Sequence, residues 1–562
     1  MKRFYPAILI LFVFIACSKE EQAIIPSDTH EEEHELLANE VCGYVKYSDG
    51  SPAAGVSVSN GFRIKVTNKN GYYYIGTNED VRHIYISYPA DAVIQKNENG
   101  CPAFFIPLEH DRKSYDFTLE RQAVENEFTL FAMADPQVHY QVLYPQKQSN
   151  TERFLKESVP AINRSISESK LPCYGVTLGD IVYSQASRNS TPAMNVMRNY
   201  MGQLNMPVFQ TMGNHDYTFF HETRPLKTGY GSTTLYLRAQ RTFEECFGPV
   251  NFSFNRGNVH IVCMRNIIFD SDIYSAKYHG GFTDQQYLWL KNDLANVSKD
   301  KMVILCVHIP IADIIENENV RNVLKLLKEY PNATVFSGHL HAYRGVENLD
   351  ETGIAEYVHN AVCGQWWWSN ISGDGCPNGF TVYTIKGNQI SNSLSQGINA
   401  GMDSADYQIR MYKGGITTGG PYAYFKWGNN DRAIFINVFH GDSRWKVKVF
   451  ENGKYAGNAK LMANSSTSFQ SVSAGNTYDI PFYSSQDWWT IGYHIGVIGQ
   501  GTNNKSYYTA MHHMFKWTAS STDAEISVEA TDPYGNVYEC SDIIDNADSY
   551  PEYIKAELDS YD

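Results

Sequence analysis

The chain has 562 residues, 43% of them apolar, which suits about three domains with real cores and excludes a disordered polymer. Its formal net charge of -15 argues against a nucleic-acid-binding surface, which needs a basic face to meet phosphates. The 39 tyrosines, with frequent Asn, Gly and Ser, favour strand-rich domains with many turns.

The N-terminus reads as a signal peptide over residues 1–16. Lys2 and Arg3 precede an apolar run from Ala7 to Ala16 that is too short for a membrane span. Phe14-Ile15-Ala16-Cys17 resembles a bacterial lipobox, which implies cleavage before Cys17 and membrane attachment through lipid on that residue. The alternative is a plain secretory signal that contains a cysteine. Residues 17–39 read as a polar tether, and Ser18-Lys19-Glu20-Glu21 resembles the acidic export signals of Bacteroidetes surface lipoproteins. The expectation is an exported lipoprotein at the outer membrane, exposed on the surface. An exported chain can oxidise its remaining cysteines. Cys306 lies in an apolar run and reads as a free core thiol. Cys42/Cys101 and Cys363/Cys376 are candidate bridges that sequence does not decide.

Residues 40–122 read as a small β domain. Val41 to Val45 alternates, Asp49-Gly50 and Asn70-Gly71 are turn signals, and Val56 to Val58 and Tyr72 to Ile75 supply further strands. The pattern resembles prealbumin-like or carboxypeptidase-regulatory sandwiches, with a spacer or lid as the expected role. Residues 123–392 change to α/β alternation. Strands are predicted at Phe128 to Met133, Gly175 to Leu178, Val208 to Met212, Val259 to Met264, Met302 to Val307 and Ala333 to Phe336. Helices are predicted at Thr191 to Leu204, Thr283 to Val297 and Val320 to Tyr330. In the first of these Thr191 caps, Pro192 takes the first turn, and Met194, Met197 and Met201 share a core-facing stripe. Residues 393–562 return to β character, with strands at Ala433 to Val438, Trp445 to Val449 and Ile526 to Val528. Asn452-Gly453 and Tyr534-Gly535-Asn536 supply turns, and no helical period stands out. A C-terminal sandwich is expected.

Five segments place Asp, Gln, Asn or His just after a predicted strand, where open α/β sheets bind ligands. They are Ala134-Asp135-Pro136-Gln137-Val138-His139, Leu178-Gly179-Asp180-Ile181-Val182-Tyr183, Met212-Gly213-Asn214-His215-Asp216, Val307-His308-Ile309-Pro310 and Ser337-Gly338-His339-Leu340-His341. Singly each is weak, since Gly-Asp is a common turn and a lone His after a strand is often a core residue. Together and in this order they resemble the calcineurin-like metallophosphoesterases, over roughly the central half of the chain.

That resemblance implies a multidomain protein whose central α/β domain is a four-layer sandwich, a pair of stacked mixed sheets flanked by helices, between two β-sandwich domains. It also implies two metal ions of the Mn, Fe or Zn kind. Asp180 would bridge them, Asp135, Gln137 and His341 would complete one site, and Asn214, His308 and His339 the other. Gly179, Gly213 and Gly338 would let the backbone turn beside the metals. Gln137 stands where the family has His. It can ligate through its carbonyl oxygen, or His139 can take its place; Gln137 is preferred because positions i and i+2 share a face. His215 resembles the family's non-ligand histidine, which stabilises the phosphoryl group or protonates the leaving oxygen, with Asp216 orienting it.

The chemistry agrees. Two cations roughly 3.5–4 Å apart neutralise a phosphate ester and make water nucleophilic near neutral pH, and mixed imidazole and carboxylate ligands suit zinc, iron or manganese. Trp366, Trp367 and Trp368 follow the last ligand motif and divide between core packing and stacking on a substrate. The expected activity is hydrolysis of a phosphate monoester or diester by a two-metal-activated hydroxide at the cell surface. The rivals are an exported nucleotidase of the same superfamily and a glycan-binding or adhesive lipoprotein with a decayed phosphoesterase domain.

Overall fold

The computed structural model describes residues 36–140, 142, 148–183, 193–217, 232–269, 278–415, 431–463, 466–473, 476–483, 485–496 and 511–544. The signal peptide, Cys17, most of the tether, and Thr191 and Pro192 lie outside the described residues. Residues 39–562 form one compact unit.

Two sheets organise the centre of that unit. The first contains β1 (Glu127–Met133), β2 (Cys173–Leu178), β3 (Val208–Thr211), β10 (Gly379–Lys386) and β11 (Gln389–Gly397), in the order β3-β2-β1-β10-β11. β1 to β3 run parallel, and β10 pairs antiparallel with both β1 and β11. The second contains β4 (Asn251–Arg256), β5 (Val259–Met264), β6 (Met302–Cys306), β7 (Thr334–Ser337), β8 (Arg344–Val346) and β9 (Ala355–Val358), in the order β4-β5-β6-β7-β9-β8. Its inner pairs β5/β6, β6/β7 and β7/β9 are parallel.

The period-2 rule decides which way each side chain faces. Leu130 and Ala132 of β1, Val176 and Leu178 of β2, Ile261 and Cys263 of β5, and Ile304 and Cys306 of β6 share one buried cluster. The alternate residues Phe131 and Met133 of β1 join a cluster with helices α1 (Val159–Glu168) and α2 (Met194–Met201). The alternate residues Val262, Val303 and Leu305 pack instead against helices α4 (Asp284–Leu294) and α5 (Glu318–Leu327). Helix α3 (Ser232–Phe247) adds Ala239 and Phe243 to the cluster of α1 and α2. Met194, Met197 and Met201 are buried, so the methionine stripe is core.

Helix starts follow local chemistry. α4 begins at a capping box, with Thr283 and Gln286 satisfying each other's backbone donors, and α5 begins at Asn317, which accepts from Val320 N. α2 begins after Ala193 with no side-chain cap.

The N-terminal segment forms two four-stranded sheets, and it docks on β4. Tyr88 bridges to Phe254, Tyr85 Oη donates to Asn251 O (2.8 Å), and the buried Arg256 donates to carbonyls including Ala92 O (2.6 Å). The C-terminal segment forms a five-stranded and a four-stranded sheet around a shared core that includes Ile436, Val449, Phe515 and Val528. It also contains a helix, Trp488–Gly496, which the absence of a helical period did not predict. Asp487 caps it by accepting from Thr490 N (3.0 Å), and short apolar helices rich in aromatics resemble strands in composition. The nine described cysteines are all free, so neither Cys42/Cys101 nor Cys363/Cys376 is bridged.

Candidate metal centre

The carboxyl ends of β1, β2, β3, β6 and β7 converge, and each delivers one of the five motifs. Asp135 and Asp180 are fully buried, each just beyond its strand. Asp135, Gln137, Asp180, His339 and His341 all have positive φ, between 40° and 71°. Non-glycine residues rarely adopt this region, and such strain gathers where side chains must converge on a ligand. Gly179 (φ +89°) has no room for a side chain, since a Cβ there would meet His308 Nδ1 at 2.5 Å. Gly213 and Gly338 serve by their lack of bulk, because a Cβ on either would press on Asp180 or on Asp135 Oδ2.

Around Asp180 the contacts are dense. Its Oδ1 accepts from His215 N (2.7 Å), and its Oδ2 lies 3.2 Å from His308 Nε2 and 3.3 Å from Gln137 Nε2. His308 Nδ1 faces Leu178 O at 2.7 Å; a proton there leaves Nε2 aimed at Asn214 Oδ1 (2.9 Å) and His339 Nδ1 (3.1 Å). On the other side Asp135 Oδ2 accepts from His339 N (2.8 Å), and Oδ1 lies 3.3 Å from His341 Nε2. All seven sequence-predicted ligands are thus brought together, with Asp180 between Gln137 and His308.

The donors suit a cation. Gln137 Oε1 is buried with no hydrogen-bond partner, and Asp135 Oδ1 faces His341 without hydrogen-bond geometry. Ligand atoms of Asp180, His308 and His339 lie within 4.8 Å of one another. The electrostatics point the same way. Burial opposes ionisation of Asp180, yet His308 and His215 hold its carboxyl well below the usual range. Burial likewise opposes charge on His308 and His341, but Asp180 lifts the first to about 9 and Asp135 the second to about 10. These buried carboxylates attract positive charge, in the form of a proton or a metal.

Other predicted residues divide. His139 is turned aside, its ring 4.5 Å from that of Tyr183 and its Nε2 against Asn150 Nδ2. His215 is half-buried, with Nε2 3.9 Å from Asp180 Oδ2. Asp216 does not orient it. Its buried carboxyl oxygens accept from Gly213 N (2.8 Å), Asp180 N (2.9 Å) and Val182 N (3.2 Å), and so tie the second motif to the third. The adjacent indoles point different ways. Trp367 is fully buried, and its Nε1 donates to Pro136 O (3.0 Å) and Gln137 O (3.2 Å). Trp366 is half-buried against His341, ring centroids 5.0 Å apart.

Three supporting residues were given no role by the sequence, although Tyr183 closes the second motif. Asn266, two residues beyond β5, accepts from His308 N and Ile309 N and fixes that turn; its position after a strand was a usable signal. Tyr183 and Tyr278 flank the centre, with ring centroids 6.1 Å from His215 and 6.2 Å from His339. Burial, then the Asp180 and Asp135 charges, push the Tyr278 phenol up to about 12. Nothing local in the sequence marks Tyr278.

Comparison with known proteins follows the same map. Family models described as the N terminal of calcineurin-like phosphoesterase, calcineurin-like phosphoesterase, and the C terminal of calcineurin-like phosphoesterase match residues 39–122, 148–343 and 356–538. The central match begins after Asp135 and Gln137. Among solved structures, the chain is similar to a 5'-nucleotidase precursor from Thermus thermophilus, with 12% identity and TM-score 0.27 over 48% of this chain and 53% of that one. It is also similar to a 5'-nucleotidase from Candida albicans, with 9% identity and TM-score 0.30 over 59% and 74%. The chain therefore spans about half the length of the first of these. No curated protein matches it.

Proposed function

We propose that this chain, which belongs to the calcineurin-like phosphoesterases and is a metal-dependent phosphoric ester hydrolase, works through two cations sharing Asp180. The observation that carries this reading is the meeting of seven donor side chains, five on left-handed backbone, with an unpartnered buried oxygen on Gln137. Asp135, Gln137 and His341 would hold one ion, and Asn214, His308 and His339 the other. Such ions, when bound, neutralise the phosphoryl oxygens and make water nucleophilic near neutral pH.

The chain's own residues supply the rest. His215 stands beside Asp180, with Nε2 3.9 Å from its Oδ2, and is half open to solvent. Its imidazole is suited to give a proton to the departing oxygen. Tyr278 keeps its phenolic proton at neutral pH and offers a hydrogen bond beside His339. Trp366 and Tyr183 add apolar rims on which a leaving group can lie. The same residues leave monoesters and diesters both open as substrates. Export and lipidation at Cys17 are proposed from the sequence alone.

The test is a chelator-stripped full chain, restored with manganese, zinc or iron and assayed on a panel of phosphomonoesters and phosphodiesters. Hydrolysis that appears only on restoration, and that tracks about two ions lost from the chain by Asp180→Ala, is the expected result. A chain that binds metal tightly at this centre yet cleaves no ester would favour the adhesive reading instead.

A further inference from the structure

A second group of metal-binding side chains lies away from the centre just described, where the C-terminal segment meets the loop that follows β9. We propose that Asp374, Cys376 and His513 form a structural site for one divalent cation of the zinc type. All three are fully buried, and their ligand atoms lie within 4.8 Å of one another. Asp374 and Cys376 belong to a tight turn closed by the bridge between Ile371 and Pro377, while His513 immediately precedes the strand Met514–Thr518.

The tautomer of His513 follows from its neighbours. Asn437 Nδ2 donates to Asp374 O (2.9 Å) and to Asp487 Oδ2 (2.7 Å), so the Asn437 oxygen must be the atom facing His513 Nδ1 at 2.8 Å. Nδ1 therefore carries the proton and Nε2 the lone pair. That Nε2 is buried without a hydrogen-bond partner and lies 3.4 Å from Asp374 Oδ2. A lone pair and a carboxylate oxygen repel unless a positive charge sits between them. A proton would serve the pair alone, but the Cys376 thiol completes a set that a proton does not use.

Thiolate, imidazole and carboxylate together select a borderline-soft ion over magnesium or calcium. A divalent ion displacing the thiol proton would balance one thiolate and one carboxylate, leaving no net charge in a dry site. Asp374 is already oriented, accepting from Cys376 N (3.0 Å) and Tyr343 N (2.6 Å), and Asn437 orients His513 as an outer partner does for a ligating imidazole. Tetrahedral zinc sets ligand atoms about 3.4–3.8 Å apart, so a small contraction suffices. The fourth position falls to water. Such an ion would pin the C-terminal sandwich to the loop carrying the tryptophans. This site stands independently of the phosphoesterase chemistry.

Cobalt(II) titrated into the metal-stripped full chain tests it, because the seven residues of the main centre include no thiolate. A near-ultraviolet thiolate-to-cobalt charge-transfer band should grow and saturate. It should persist in Asp180→Asn and in Cys363→Ser, and vanish in Cys376→Ser and His513→Gln. Absence of the band in the wild-type chain at saturating cobalt, a measurement that needs no variant to fold, would overturn the proposal. So would a band that survives Cys376→Ser.

Discussion

Gln137 is the residue at which the chain departs from its family's pattern, and its geometry makes a sharp prediction. Its side chain reaches Asp180 while His139 is engaged with Asn150. Gln137→Ala should therefore weaken one bound ion, His139→Ala should leave metal content unchanged, and Gln137→His should be tolerated; isothermal titration with each metal checks all three. The opposite ranking would return the ligand role to His139. His215→Asn should keep both ions and lose about 10²–10⁴-fold in rate on an alkyl ester, with a much smaller loss on a nitrophenyl ester whose leaving group needs little protonation. Equal losses on both would assign His215 to the phosphoryl oxygens. Asp216 acts differently from the role expected of it, because three backbone N–H groups claim its oxygens. Burial and then Asp180 push its carboxyl up to about 8, against those donors. Asp216→Asn would set an amide N–H₂ against a backbone donor and should cost about 1–3 kcal/mol of stability, read by thermal unfolding. Metal affinity should also depend on pH in a particular way. In the stripped protein His308 and His341 hold protons up to about 9 and about 10, whereas burial and His308 lower His339 to about 4. Below pH 9 two protons must leave as metal enters, so affinity should keep rising with pH through 7 and 8. A plateau already near the ordinary imidazole value of ~6.5 would mean the carboxylates do not hold those protons.

At the scale of elements, residue identities after strands were readable because burial at a strand's carboxyl end leaves few other reasons for Asp, Asn and His. The strands themselves were readable where apolar runs were unbroken, as in Met302–Cys306, or broken once, as by His260 in Val259–Met264. Arg344–Val346 and Gln389–Gly397 escaped because their residues are mostly polar or glycine and mostly half-exposed, which weakens the apolar signal. The loop after β9 was the hardest, since its meaning lies in what it touches. Arg153 donates to Trp367 O (2.8 Å), and the Trp367 indole donates to the carbonyls of the first motif, so this loop holds Gln137 from behind. Trp367→Ala should therefore cost about 3–5 kcal/mol in folding stability, as large buried truncations do, and should loosen metal as well. Trp366→Ala should instead raise KM for a substrate with a bulky leaving group and spare a small ester. If the two variants behave alike, the division of labour between the indoles is wrong.

Taken whole, the molecule is more integrated than a string of domains. Asn360 meets His440, Ser369 meets His494, and Arg410 donates to Gly375 O (2.8 Å), so the C-terminal segment grips the loop that backs the metal centre. A chain ending near residue 400 should consequently lose metal as well as stability, which atomic absorption on the purified truncation would reveal; full metal content there would make the C-terminal segment a mere appendage. No local pattern in the sequence reports such long-range contacts. The N-terminal sheets have a further consequence, for the order in which the protein acquires its shape. They are synthesised first, yet Tyr85 reaches its partner Asn251 166 residues later, and one edge of β1 stays unpaired until β10 exists. Loop closure over such spans is slow relative to local structure. As the polypeptide leaves the ribosome, β1 keeps one edge open until residues 379–386 arrive, so shielding that edge during the delay should raise the yield of folded protein.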